Sequence, residues 1–376
     1  MQRIQLVACF TFAVLVLVPL SITAGGEATS VDWQTYDRMV SKAIAYLETK
    51  GQSPQGAFSG FSGPAVTALA TTALVRHGRP VDSPAVAQAI EYLEQFIRKD
   101  GGIYEEGTLY RNYETCLAIV CFNEINDDGR YDEILKRADA FVRGIQWDET
   151  EDIDSSDFAY GGAGYGKHKR PDLSNTSFFV DALHSLGHGA DDPAIQRALT
   201  FISRCQNLES EHNRTPWSTK NPDGGFYYTP AAGGKSQAGT TANGGLRSYA
   251  SMTYAGLKSM IFAGVDEDDP RVRAAMEWIR NHYDLESNPG MGKAGLYYYY
   301  HTFAKALHAI GQKTLVDENG ETHDWRADLI ATLDEKQRAD GSWVNQENER
   351  WLEGDPNLVT AYALLALSYC GNEFEE

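Results

Sequence analysis

Basic residues are scarce in this chain. Lys and Arg number 33 against 52 Asp and Glu, a formal net charge of −19 over 376 residues. Nucleic acid and anionic membrane both select for basic surface, so neither is expected as a partner. Long apolar runs are nearly missing too. The run from Leu6 to Leu20 follows Arg3 and leads to Ser21-Ile22-Thr23-Ala24. That is the layout of an export signal, too short and too near the terminus for a membrane span. Residues 1–24 are therefore expected to be a signal peptide cleaved near Ala24, and the protein to be periplasmic or secreted. Cys9 stands in a sequence like a lipoprotein box, but no apolar region precedes it, so lipidation there is rejected. The other cysteines, Cys116, Cys121, Cys205 and Cys370, have long and irregular spacings. That excludes a zinc ribbon or a small disulfide scaffold and leaves buried small side chains.

Familiar site motifs are also missing. Gly233-Gly234-Lys235-Ser236 ends like a phosphate loop, but Thr229 stands where its first glycine is needed. The acidic run from Asp148 to Asp157 lacks the glycine and distal glutamate of a calcium loop and reads as solvated. Asn175-Thr176-Ser177 and Asn213-Arg214-Thr215 are glycosylation sequons.

What is present is a globular composition, 42% hydrophobic and 11% aromatic, and an internal repeat. Let Thr67, Thr115, Thr176, Thr253, Tyr300 and Thr360 be position zero. Seven residues on stand Leu74, Phe122, Leu183, Met260, Leu307 and Leu367; eleven on stand Gly78, Asn126, Gly187, Gly264, Gly311 and Gly371. Glycine and asparagine tolerate the left-handed backbone of a helix C-cap, so each repeat is predicted to hold a helix of about three turns with a defined stop. An earlier helix precedes each, from "AIAYL" at Ala43, "AIEYL" at Ala89, "ADAFV" at Ala138, "ALTFI" at Ala198 and "AMEWI" at Ala275 to the weaker "LIATL" at Leu329. Asp192-Pro193 and Asp269-Pro270 are N-cap pairs for two of them. Connections often carry Gly-Gly or Gly-x-aromatic, as in Gly101-Gly102-Ile103-Tyr104 and Gly341-Ser342-Trp343. The terminal repeats match the interior ones and show no polar capping face. A closed ring of six helix pairs is expected, an all-α (α/α)6 toroid forming one domain over residues 31–376.

Six-fold helix pairs with Gly-aromatic connections resemble the α/α-toroid proteins: the squalene–hopene and related terpenoid cyclases and the prenyltransferase β subunits. The resemblance covers essentially the whole mature chain. It implies a central funnel lined by the second helices, holding an isoprenoid or other hydrophobic small molecule. Class II cyclases of that family carry an acid motif D-x-D-D-T whose middle Asp protonates an alkene. Here Asp172 and Thr176 match, while Ser174 and Asn175 replace the last two acids. A hydroxyl is far too weak an acid for that step, and the alternative role is capping the second helix. The prenyltransferase zinc pair has Arg247-Ser248-Tyr249 in its place, and His301 falls near the family's histidine without partners. No metal and no cofactor is expected, and the thioester motif of complement-type toroids is absent.

Positions one, five and eight vary most between repeats and form the expected lumen stripe. It carries Tyr254, His301, Asp181, Lys258, Lys305, His184 and His308. Charges there need partners if buried. Asp172 and His301 are the candidate catalytic residues. Ser174, Asn175, Asp181, Tyr254, Lys258, Tyr299 and Lys305 are the candidate ligand-binding residues. Long loops over residues 146–172 and 206–248 are expected to mark the side that bears the site, the second as a mobile lid. Three readings stay open: a hydrophobic-ligand protein with or without turnover, a carbohydrate-active (α/α)6 enzyme, and a protein-binding scaffold.

Overall fold

The computed structural model describes residues 30–166 and 170–371. The signal-peptide expectation lies outside them. Twelve helices alternate between two rings. The outer ones are α1 (Trp33–Tyr46), α3 (Pro84–Glu94), α5 (Asp132–Arg143), α7 (Pro193–Arg204), α9 (Pro270–Asn281) and α11 (Trp325–Lys336). The inner ones are α2 (Ala65–Arg76), α4 (Arg111–Glu124), α6 (Leu173–Ser185), α8 (Ala250–Phe262), α10 (Leu296–Ala309) and α12 (Pro356–Gly371). A two-stranded ribbon, β1 (Leu315–Val316) with β2 (Thr322–His323), is the one sheet among the described residues.

Outer helices are amphipathic. α5 buries Leu135, Ala138 and Val142 and turns its charges outward. Inner helices have no polar face, and every α8 residue from Ala250 to Met260 is buried. Each inner helix packs on the next, and α12 returns to α2; outside, α1 meets α11 and α12. The ring is closed, as its repeats predict.

Two side-chain devices repeat around it. Position-zero threonines accept a hydrogen bond from the connection entering their own helix: Phe58 N to Thr67 Oγ1, Ile103 N to Thr115, Ala163 N to Thr176, Phe226 N to Thr253 and Trp343 N to Thr360, at 3.0–3.1 Å. Tyr300 replaces this in the fifth repeat by donating to Leu285 O. Secondly, four glutamines join each connection to the next outer helix through Nε2. Gln52 donates to Gly56 O and Ala85 O, Gln146 to Gly161 O and Ala194 O, Gln206 to Gly224 O and Arg271 O. Gln337 donates to Gly341 O and, across the chain ends, to Met39 O in α1.

Asp192 and Asp269 cap α7 and α9 through Ala194 N and Arg271 N. The uniform C-cap is corrected: Gly78, Gly187, Gly264 and Gly311 are left-handed, but Gly371 ends α12 without that turn and Asn126 works through its side chain. Its Oδ1 accepts from Tyr131 N and its Nδ2 donates to Asp132. Both sequon asparagines are buried, so the folded chain offers neither Asn175 nor Asn213 to a glycan. Cys116, Cys121, Cys205 and Cys370 are free and buried.

Candidate functional site

The first turns of the inner helices and the loops above them surround a cavity of about 680 Å³. Tyr113 comes from α4, Ser174, Asn175 and Phe178 from α6, Met252 from α8, Tyr298 from α10 and Tyr362 from α12. Loops add Glu105, Tyr165, Tyr228, Trp351 and Glu353. Four rings form a cycle across the lumen. Tyr113 meets Phe178 edge-on at 5.0 Å, Phe178 lies 6.1 Å from Tyr298, Tyr298 lies 5.9 Å from Tyr362, and the Tyr113 and Tyr362 hydroxyls meet at 3.3 Å. Phe178 also lines a second, small cavity below, so this cycle is the floor of the bowl.

Several polar tips of the wall are engaged with one another, while the lining Glu105 and Glu106 are exposed. Tyr298 and Ser174 hydroxyls are 3.1 Å apart, and Tyr228 bonds to Asp172. Glu114 accepts from Glu105 N and the Thr108 hydroxyl. Glu353 caps α10: Oε1 accepts from Tyr297 N and Tyr298 N, and Oε2 from Asn345 Nδ2. Among the described residues the lining carries no Lys, Arg or His. Asn175 Oδ1 is buried without a partner. At the rim Phe61, Tyr110, Trp351 and Leu352 are exposed, and the last two hold left-handed φ of 58° and 64°. Strain of that kind persists only where the surroundings enforce it; Trp351 is held against Gly295 and under Arg350.

Burial dominates the wall carboxyls. It pushes Glu353 up to about 7 and Asp172 up to about 6, against the hydrogen bonds that favour their ionised forms. A carboxyl raised by folding stabilises most below its unfolded value, and that contribution is lost as pH rises through the folded value. Glu353, moved from 4.5 to about 7, should make the fold more stable at pH 5 than at pH 8 by on the order of 3 kcal/mol. Thermal melts of Glu353→Gln should lose this share of the pH dependence. A variant tracking the native protein from pH 5 to 8 would place the titration elsewhere.

Below the floor the lumen is filled by charge. Lys258 Nζ stands 2.5 Å from Asp181 Oδ1 and Lys305 Nζ 2.8 Å from Asp181 Oδ2. Lys258 also donates to Ser177 O and Oγ. Burial lowers Lys258 to about 8, and the two ammoniums hold Asp181 down at about 2 despite its own burial.

The sequence candidates therefore divide. Ser174 and Asn175 line the bowl. Asp172 is buried behind it as the α6 cap, its Oδ1 2.9 Å from Asn175 N. Asp181, Lys305 and His301 line the small lower cavity, and Lys258 completes that network. Tyr254 and Tyr299 pack on each other and on Phe303 inside the helical wall and line neither of these two cavities. His184 stacks on Phe262. The long loops do reach the bowl, through Tyr165, Tyr228 and Gln237, and form part of its wall. Residues 206–248 are pinned by the bridges Gln206–Phe226, Thr229–Lys235 and Thr240–Leu246, and Phe226 and Tyr227 are fully buried. Sequence reasoning missed Tyr113, Phe178 and Tyr362, whose signal was spacing: they stand two residues before or after position zero.

No family model and no curated protein matches the chain. Among solved structures, a polysaccharide lyase is similar at 10% identity over 90% of this chain and 96% of its own, with a TM-score of 0.54. The apo type II terpene cyclase MstE from Scytonema is 15% identical over 90% and 98%, at 0.36. A glycosyl hydrolase family 88 protein from Bacteroides vulgatus is 12% identical over 89% and 98%, at 0.45. At these identities the likeness to the lyase shows the fold, an all-α toroid, and nothing of the reaction. The two overlaps below 0.5 add nothing to that.

Proposed function

We propose that this is an exported ring protein that binds a neutral, apolar molecule built of rings or isoprene units in the tyrosine-walled bowl. One observation carries the reading. The hydroxyls of the floor are engaged with each other, so a ligand there meets mostly aromatic and aliphatic carbon in about 680 Å³, a volume ordinary for small-molecule sites. The carboxylates of the exposed Glu105 and Glu106 stand beside it. The exposed apolar rim gives such a ligand a continuous path inward. Asp172 serves the helix rather than the ligand, which leaves binding and not acid-initiated cyclisation as the proposed role. A glycan-active site would need two free carboxyls at hydrolytic separation; Glu114 and Glu353 are both held as acceptors, and Glu105 and Glu106 are exposed neighbours on one loop. A uronate-bearing glycan would meet no cation among the described lining residues.

The test is mass spectrometry of organic extracts from mature protein purified natively from its own source. A stoichiometric apolar compound is expected, falling more than about tenfold in Phe178→Ala or Tyr298→Ala protein, since each ring supplies much of the floor's contact area. Empty protein from lipid-replete cells, or glycan turnover abolished by Glu114→Gln, would overturn the proposal.

A further inference from the structure

The small cavity under the aromatic floor has a volume of about 30 Å³, room for one water or one ion of similar size. Thr72, Arg76, Asp181, His301, Lys305 and Tyr369 are among its lining residues. The charges do not balance. Lys258, Lys305 and Arg76 face Asp181 and Glu124, and the Lys258 and Lys305 side chains are only 3% and 14% exposed. The neighbouring histidines do not change the sum, because burial lowers His301, His184 and His308 and keeps them neutral. One positive charge is left over around this partly open cavity, where an uncompensated charge attracts a counter-ion.

The hydrogen-bond donors are unbalanced in the same sense. Lys258 uses its three N–H groups on Ser177 O, Ser177 Oγ and Asp181. Lys305 has one polar partner, Asp181 Oδ2, and otherwise lies over the Phe262 ring at 5.8 Å. Two of its three donors remain. Tyr369 accepts from Arg76 Nη1 at 2.9 Å and keeps its own hydrogen to donate. His301 Nδ1 is buried with no partner. Thr72 already donates to Ala68 O, and both Asp181 oxygens are occupied by ammonium groups. Lys305 and Tyr369 thus bring spare donors, and the surrounding ion pairs an excess of positive charge, to the hole. Water would satisfy the donors but not the charge.

We infer that this cavity is a site for a monovalent inorganic anion of chloride size, held by Lys305 Nζ with Tyr369. It would neutralise the plug that closes the lumen beneath the bowl, and it does not depend on what the bowl binds.

Mature protein dialysed into sodium gluconate should melt about 3 °C lower than in sodium chloride or bromide of equal ionic strength, because an ion bound only by the folded state stabilises it. Crystals grown in bromide should give an anomalous peak beside Lys305 Nζ. Lys305→Met removes the excess charge and should remove the halide response. Tyr369→Phe keeps every ion pair, loses one donor, and should weaken the response. Equal melting temperatures in halide and gluconate, or a water beside Lys305 in bromide-grown crystals, would overturn the assignment.

Discussion

Asp181→Asn should cost the fold about 3–5 kcal/mol, the range for removing one partner of a buried ion pair. The carboxylate is 7% exposed and lies between two ammonium groups at 2.5 and 2.8 Å. An amide of the same shape keeps the volume but leaves both lysines facing each other without a counter-charge. Their escape is to lose a proton, and Lys258 already stands lowered to about 8 by burial. The deficit should therefore be largest near pH 6 and shrink towards pH 9. The native protein has a weaker trend of its own. With Lys258 lowered from 10.5, the unfolded chain binds more protons between about 8 and 10.5, so stability from this group rises with pH across that window. Asp181 acts at the other end. Held down at about 2, its contribution is present above the unfolded value and is lost only as pH falls through the folded one. Urea or thermal unfolding at three pH values reads all of this. The triple change Asp181→Leu, Lys258→Met, Lys305→Met should recover most of the loss, because a buried ion cluster replaced by apolar side chains is often neutral or better. An Asp181→Asn protein as stable as the native one at pH 6 would mean that water reaches the cluster.

The ring was legible because its devices repeat. The threonine that receives the connection's N–H and the glycine eleven residues later recur at fixed offsets, and each has one local geometric reason. Conservation between repeats also misled. Having assigned the constant stripe to packing, the sequence reading took the most variable stripe, positions one, five and eight, as the lumen. The lumen residues instead run mainly along positions minus two, two, five and nine, as in Tyr298, Lys305 and, in α12, Leu358, Tyr362, Leu365 and Tyr369. Positions one and five were shared, which is why His301, Asp181 and Lys305 were found and most of the aromatic floor was not. An inner helix buried on every side has no polar face from which its orientation can be read. Asp172 shows a different limit. Its place in a family motif was visible, but whether it faced ligand or capped a helix depended on Asn175 and Tyr228, the second of them on a loop far away in sequence. Glu353 and Trp351 sit on a loop with no period at all, and nothing in composition brings them to the mouth.

Gly341→Ala tests the closure itself. The residue sits in the connection between α11 and α12 at φ 92°, and a Cβ there would stand 2.3 Å from Lys42 O in α1. That neighbour is backbone, so relief requires the first helix of the chain to move away from the last repeat. Moving it also breaks the bond from Gln337 Nε2 to Met39 O at 2.9 Å. Left-handed strain, an unmade buried hydrogen bond and a steric shift together should cost about 3 kcal/mol or more. Two controls separate these causes. Gly161→Ala makes the same change at an interior seam, with a Cβ 1.8 Å from Arg197 O and Gln146 in the role of Gln337. Gly78→Ala has the same backbone, at φ 78°, with nothing within 4 Å of the new Cβ, and should cost only about 1 kcal/mol. In a closed ring the first and last repeats are neighbours like any others, so Gly341→Ala and Gly161→Ala should fall together and well below Gly78→Ala in thermal unfolding. A Gly341→Ala protein no worse than Gly78→Ala would mean that the seam between α1 and the last repeat opens freely. The toroid would then behave as an open array whose ends merely touch.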